Sequence, residues 1–161
     1  MERSTKPLVL NKIPVTPWVR GTAEKMQKAG SESRADWRQF WLKTYQGLGG
    51  CSDDSGSKGC PRVAAYGLRF LGRLRDGGRP LKSWTVVKIK RQLGKNAAYA
   101  TIAADLLEQG ESPAMDSLWP GVRDRYKKHT GEEAAEYEQG QIKLVAALFR
   151  EHQLRTQPGR A

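Results

Sequence analysis

The chain has 161 residues, 38% of them hydrophobic and 28% charged, and a formal net charge of +11. That length suits one ordinary domain able to bury a core without metal or disulfide help, and five Trp, five Tyr and three Phe exclude a disordered composition. No apolar run approaches the roughly 18 residues of a membrane span, and Met1-Glu2-Arg3-Ser4 lacks the apolar core of a secretion signal, so a cytoplasmic location without a membrane partner is expected.

In chain order, residues 1–15 read as an extended arm, interrupted by Pro7 and Pro14, whose Leu8, Val9, Leu10, Ile13 and Val15 pack on the body. Thr16-Pro17 reads as a helix start, because proline is accepted in a first turn. A second helix is predicted from Ser33, with Asp36 in the capping-box position, to about Gln46, and it sets Trp37, Phe40, Trp41 and Tyr45 on one face. Gly47 to Gly59 holds five Gly and three Ser and reads as a loop. Pro61 then opens a third helix, in which Val63, Tyr66, Gly67, Phe70, Leu71 and Leu74 recur at helical spacing as far as Gly77-Gly78.

Ser83 is the expected cap of a fourth helix over Trp84–Leu93, although Thr85, Val86, Val87 and Ile89 also suit a strand. Gly94 stops it and Asn96 caps the next, whose Tyr99, Ile102, Ala103, Leu106 and Leu107 form an apolar face ending before Gly110. Ser112-Pro113 starts a short helix that Pro120 breaks near Trp119, a further turn carries Tyr126, and a last helix is predicted from about Glu132 to Gln153, with Ile142, Val145, Ala146 and Phe149 inward. The expectation is an all-α fold, a compact single-domain bundle of six or seven helices over 16–154, with the extended arm before it and a mobile basic tail at 155–161.

Lys58-Gly59-Cys60-Pro61, Asn96 to Ala100 with Tyr99, Leu118-Trp119, and Gly140-Gln141-Ile142 through Leu148 resemble an uncharacterised bacterial all-helical domain family, a domain of unknown function, over about residues 33–154. The resemblance implies that a Lys-Gly-Cys-Pro element opens one helix, an Asn-x-x-Tyr-Ala element opens another, and a Gly-Gln-hydrophobic element lies on the last. It implies a helical fold and brings no activity.

Between Lys58 and Lys95 stand eleven Lys and Arg residues and one acid, Asp76, so this stretch supplies +10 of the +11. Charge this local predicts a polyanion-facing surface. Arg62, Arg69 and Arg73 fall on one helical stripe, and Arg75, Arg79, Lys82, Lys88, Lys90, Arg91 and Lys95 extend it. The expected partner is nucleic acid or another polyanion, held through its phosphates with little sequence choice. A competing expectation sets the basic 58–95 band against Glu132, Glu133, Glu136 and Glu138, within one chain or across a homo-oligomer, which makes the chain a protein-interaction or dimerising module. Trp84, inside the band, either packs or stacks on a base. A helix-turn-helix reading is disfavoured, because the helix after Gly94 offers Ala97, Ala98, Thr101, Asp105 and Glu108 outward, and Asp76 to Lys82 is too long for the tight turn.

A third expectation is an anion-binding loop of Ser55, Ser57, Lys58, Gly59 and Cys60, where hydroxyls, amides and a positive helix end converge on a phosphate in a small-molecule pocket. The order is not that of a P-loop, and Asp53 and Asp54 repel an anion unless they point away. Cys60 stands between Lys58 and Arg62 near a helix start, but no base is positioned to make it a nucleophile. Cys51, Cys60, His129 and His152 lack the paired spacing of structural zinc, so neither metal nor cofactor is expected and both cysteines are expected as thiols. Adjacent Asp53 and Asp54 lack the fixed separation of an acid–base pair. No catalytic residue is legible, and the expected protein is non-enzymatic.

Overall fold

The arm closes into a hairpin where the computed structural model describes the chain, over residues 8–75 and 77–155. Strand β1 (Val9–Leu10) pairs antiparallel with β2 (Ile13–Pro14), Val9 opposite Pro14 and Leu10 opposite Ile13. Asn11 and Lys12 both take positive φ, 52° and 68°, as a two-residue hairpin turn requires. Leu10 and Ile13 are buried and Val9 is exposed. The arm therefore becomes part of the body from Leu8 onward, and residues 1–7 lie outside the described residues.

Helix α1 (Val15–Ala29) follows β2 directly, with Pro14 as its N-cap residue. Pro17 in its first turn forfeits nothing, since that amide has no intrahelical partner. Helix α2 (Arg34–Gly47) starts as expected, the Ser33 hydroxyl accepting from the Asp36 amide at 3.0 Å. Asp36 closes the box indirectly: Ser31 Oγ donates to its carboxylate at 2.6 Å and accepts from the Ser33 amide at 3.1 Å. The two helices meet through Trp18 and Trp41, stacked at 4.3 Å, and Trp18 Nε1 donates to the Trp41 carbonyl at 2.9 Å.

The glycine-rich loop contains one helical turn, α3 (Asp53–Gly56), capped by Ser52. Helix α4 (Gly59–Phe70) then ends earlier than its apolar spacing suggests. Gly72 takes φ +75°, and a Cβ there would lie 2.3 Å from the Pro80 carbonyl oxygen, so the chain doubles back at this glycine. Leu74, expected on the helix, instead bridges Leu154, while the Arg155 amide donates to Arg73 O at 2.8 Å. Arg155, expected to begin a mobile tail, is thus tied to the body; residues 156–161 lie outside the described residues.

Helix α5 (Val86–Leu93) is capped by Thr85 rather than Ser83, its hydroxyl accepting from the Lys88 amide at 3.2 Å. Helix α6 (Lys95–Glu108) begins at Gly94 without a side-chain cap, and α7 (Met115–Thr130) runs unbroken through Pro120. That proline sits on the exposed side, and its only loss is a bond to the Asp116 carbonyl, also on the exposed side, while Leu118, Trp119, Val122 and Tyr126 anchor the opposite face. Helix α8 (Gln141–Arg150) is shorter than expected, because 131–140 is irregular. The Ala135 amide donates to Tyr99 Oη at 3.0 Å and the Glu136 carbonyl accepts from Trp119 Nε1 at 3.3 Å, so side chains from α6 and α7 take backbone groups that a helix would use.

Helix α6 is the axis, packed on by α4, α5, α7 and α8. Ala97, Ala98, Ala100, Ala103 and Ala104 let its neighbours approach closely, and Ala97, Ala98 and Thr101, expected to face outward, are buried. The all-α expectation holds: among the described residues there are seven helices of eight residues or more, beside one two-stranded hairpin. None of them is long and apolar enough to cross a membrane.

Candidate functional site

The basic band divides by what each cation faces. Arg69 is 2% exposed and donates to the Glu32 carboxylate at 2.9 Å. Arg73 is 0% exposed and is clasped by Asp105 at 2.9 Å and Glu108 at 2.7 Å, with its Nε donating to Arg155 O at 3.1 Å. These two correct the sequence expectation: they fasten α4 and its exit turn to the α1–α2 connection and to α6, and neither is open to a ligand. Arg79 also reaches Glu32, at 3.3 Å, and Lys90 pairs with Glu132. Arg75 is exposed near the end of α8, where it donates to His152 O at 3.3 Å.

Lys82 and Lys88, with Arg79 again, meet a row of rings. Trp37 and Tyr66 have centroids 5.9 Å apart, Tyr66 and Phe70 6.0 Å, and Phe70 and Trp84 5.4 Å. Cations rest on this row: Arg34 lies 5.7 Å from the Tyr66 centroid, Arg79 and Lys82 each 5.1 Å from Phe70, and Lys88 4.3 Å from Trp84. Arg91, three residues after Lys88 on α5, and Lys95, which opens α6, are exposed. A cation held on a ring is positioned without being neutralised, unlike one held by a carboxylate.

At the Tyr66 end the row opens into a groove of 260 Å³ lined by Arg34, Arg38, Arg62, Trp37, Tyr66 and Leu93. Trp37 Nε1 donates to the Arg62 carbonyl at 3.0 Å and so holds α2 on α4. Arg34 donates to the Gln92 carbonyl and Arg62 to the Ser57 carbonyl, the latter at 2.9 Å. Burial, helped by the nearby Arg38 charge, holds the Arg62 guanidinium below its ordinary pKa, and burial pushes the Tyr66 phenol up. Segments 32–38, 62–70 and 79–95 together carry ten basic residues and two acids. Of those acids, Glu32 is engaged by Arg69 and Arg79, and Asp36 by Ser31. Arg34 and Arg38 were not legible as part of the band because they precede it in the chain; their spacing of four, which sets them one above the other on α2, was the available signal.

The expected anion loop separates into two parts. Lys58, Gly59 and Cys60 line a cavity of 530 Å³ with Glu138, Gln139, Gly140 and Lys143, whereas Ser55 and Ser57 are not among its lining residues. The Ser55 carbonyl accepts from Asn11 at 3.2 Å, and the Ser57 amide donates to Asp53 O at 2.9 Å. One Glu138 carboxylate oxygen accepts from the amides of Gly140, Ile142 and Lys143 at 2.7, 2.9 and 3.1 Å, so the start of α8 already holds an anion of the protein's own. Cys60 Sγ faces Gln139 Oε1 at 3.5 Å, and both cysteines are free. The helix-opening elements singled out in the sequence meet at this end: buried Gln141 donates to Asn96 at 3.2 Å and accepts from the Gln139 amide at 2.7 Å, and Gly140 lies against Pro61. They serve as a clasp between the starts of α4, α6 and α8.

Among the described residues, no group of three or more His, Cys, Asp and Glu side chains is placed to hold a metal. No protein-family model, no curated protein and no solved structure is significantly similar to the chain.

Proposed function

We propose that this chain is a non-enzymatic binding protein for polyanions, with nucleic acid as the partner, and that it binds along the strip from Arg38 through Arg34, Lys82 and Lys88 to Arg91. The reading is carried by one observation: Arg34, Lys82 and Lys88 rest on the faces of Tyr66, Phe70 and Trp84. Their charge is left for phosphates, and the bulk of the side chain is already ordered, which lowers the entropy lost on binding. Basic side chains interleaved with rings are the usual composition of surfaces that track a nucleic-acid backbone. The resemblance to a helical domain family brings no activity and adds nothing to this reading.

Self-association through the acidic 132–138 segment is less well supported, because Glu132 engages Lys90, Glu133 engages Lys127 and Glu138 caps α8, all within one chain. The test is charge reversal. A variant carrying Arg38→Glu, Lys82→Glu, Lys88→Glu and Arg91→Glu should lose nucleic-acid binding by fluorescence anisotropy, while the same change of charge placed elsewhere, Lys28→Glu, Lys43→Glu, Lys128→Glu and Arg150→Glu, all exposed, should lose little. Equal losses in both variants would mean that only net charge matters and would sink the strip.

A further inference from the structure

The arginines of the groove between α2 and α4 are held in a way that distinguishes them from the paired ones. Arg69 and Arg73 are fixed by carboxylates, which cancel their charge. Arg34 and Arg62 are fixed by the backbone carbonyls of Gln92 and Ser57, neutral acceptors that set a guanidinium's position and leave its charge intact. Arg38 faces the same groove, and no carboxylate is among its lining residues. The floor is apolar and aromatic, from Trp37, Val63, Tyr66 and Leu93. Three like charges gathered over an apolar floor repel one another, and an anion placed among them relieves that repulsion while meeting several N–H donors.

The ligand class follows from charge and size. At 260 Å³ the groove lies below the range of about 300–1,000 Å³ typical of sites for drug-sized molecules. A phosphodiester inside a strand carries one negative charge, whereas a terminal phosphate monoester carries about −1.5 to −2 at neutral pH and exposes three acceptor oxygens. Three forked donors match the monoester better than the diester.

We propose that the Arg34–Arg38–Arg62 groove binds a phosphate monoester, with the terminal phosphate of a nucleic-acid strand lying on the basic strip as its source. The choice of source rests on the function proposed above; the groove's preference for a monoester does not. A phosphorylated end seated here leaves the following nucleotides to run over Tyr66 and Phe70 toward Trp84.

The experiment compares short, internally labelled single strands bearing a 5′-phosphate, a 3′-phosphate or neither, and titrates adenosine monophosphate separately by calorimetry, with wild type, Arg38→Gln and Arg62→Lys. Arg38 is exposed on α2, so its replacement should leave the fold intact, and Arg62→Lys keeps the charge while removing the fork. Wild type should prefer one phosphorylated end by about tenfold, the size expected of an added charge-assisted contact, and the ratio should fall toward one in both variants. A preference that survives both substitutions overturns the placement. Equal, salt-sensitive binding of all three strands overturns the monoester site and leaves the proposed function standing. Binding of adenosine monophosphate without any strand, lost in Arg38→Gln, supports the groove and defeats the nucleic-acid reading. Failure of every ligand defeats both.

Discussion

A cation's role in this protein is set by the chemical nature of its nearest neighbour. Arg73 shows the structural extreme, fully buried with both ends of its guanidinium on carboxylates. Arg73→Leu leaves Asp105 and Glu108 without their counter-charge and should cost about 3–5 kcal/mol, read as a fall in the urea midpoint. A loss within about 0.5 kcal/mol, the range of ordinary surface substitutions, would show that the clasp is not structural. The sequence could not separate Arg73 from Arg62, since both lie on one stripe and the acids that claim Arg69 and Arg73 stand 32 to 37 residues away along the chain. Local spacing reports the face of a helix and not its partner.

Tyr126 gives a second prediction at the same scale. Burial chiefly, then the neighbouring Tyr99 and the charge and hydrogen bond of Glu132, push its phenol up to about 12 from 10.0. The folded state therefore keeps this proton at pH values where the unfolded chain releases it. Stability from this group is fully present below pH 10 and is lost as pH rises through about 12, by an amount on the order of 2 kcal/mol. Tyr126→Phe should flatten the alkaline limb of a stability–pH curve; an unchanged limb would assign it to other groups.

Among the elements, those with local stop and start signals were readable, and those set by distant partners were not. Ser33 with Asp36 placed the start of α2, and Gly94 placed the break between α5 and α6. The extension of the last helix back to Glu132 failed because Tyr99 and Trp119, far away in sequence, take the Ala135 amide and the Glu136 carbonyl. The early end of α4 is an exception: its stop is local, a left-handed Gly72 after which the Arg73 amide donates to Leu68 O at 2.8 Å, and the apolar spacing that continues through Leu74 hid it. At the α4–α6 contact, a Cβ on Gly67 would approach that of Ala97 to 2.5 Å. Gly67→Ala should therefore force the two helices apart and destabilise by about 1–3 kcal/mol, despite alanine's better helix propensity. A more stable variant, by thermal or urea unfolding, would show that the contact has slack.

Over the whole molecule the excess charge is real, but its spatial distribution differs from its distribution along the chain. The band of 58–95 donates Arg69 and Arg73 to the interior, shares Arg79 and Lys90 with acids, and gains Arg34 and Arg38 from α2. The fold class was readable from apolar periodicity and glycine punctuation. The strip was only half readable, because its rings come from α2, α4 and the segment before α5, which meet only after folding.

The most direct test follows labelled nucleic acid, single-stranded and duplex, by anisotropy as salt is raised, with wild type beside the Arg38, Lys82, Lys88 and Arg91 reversal. A phosphate-contacting strip predicts a log–log fall in affinity with a slope of about three to five, one unit for each phosphate neutralised, and no measurable binding by the reversal variant. Absence of binding at the lowest salt, or an affinity that ignores both salt and charge reversal, would contradict the account.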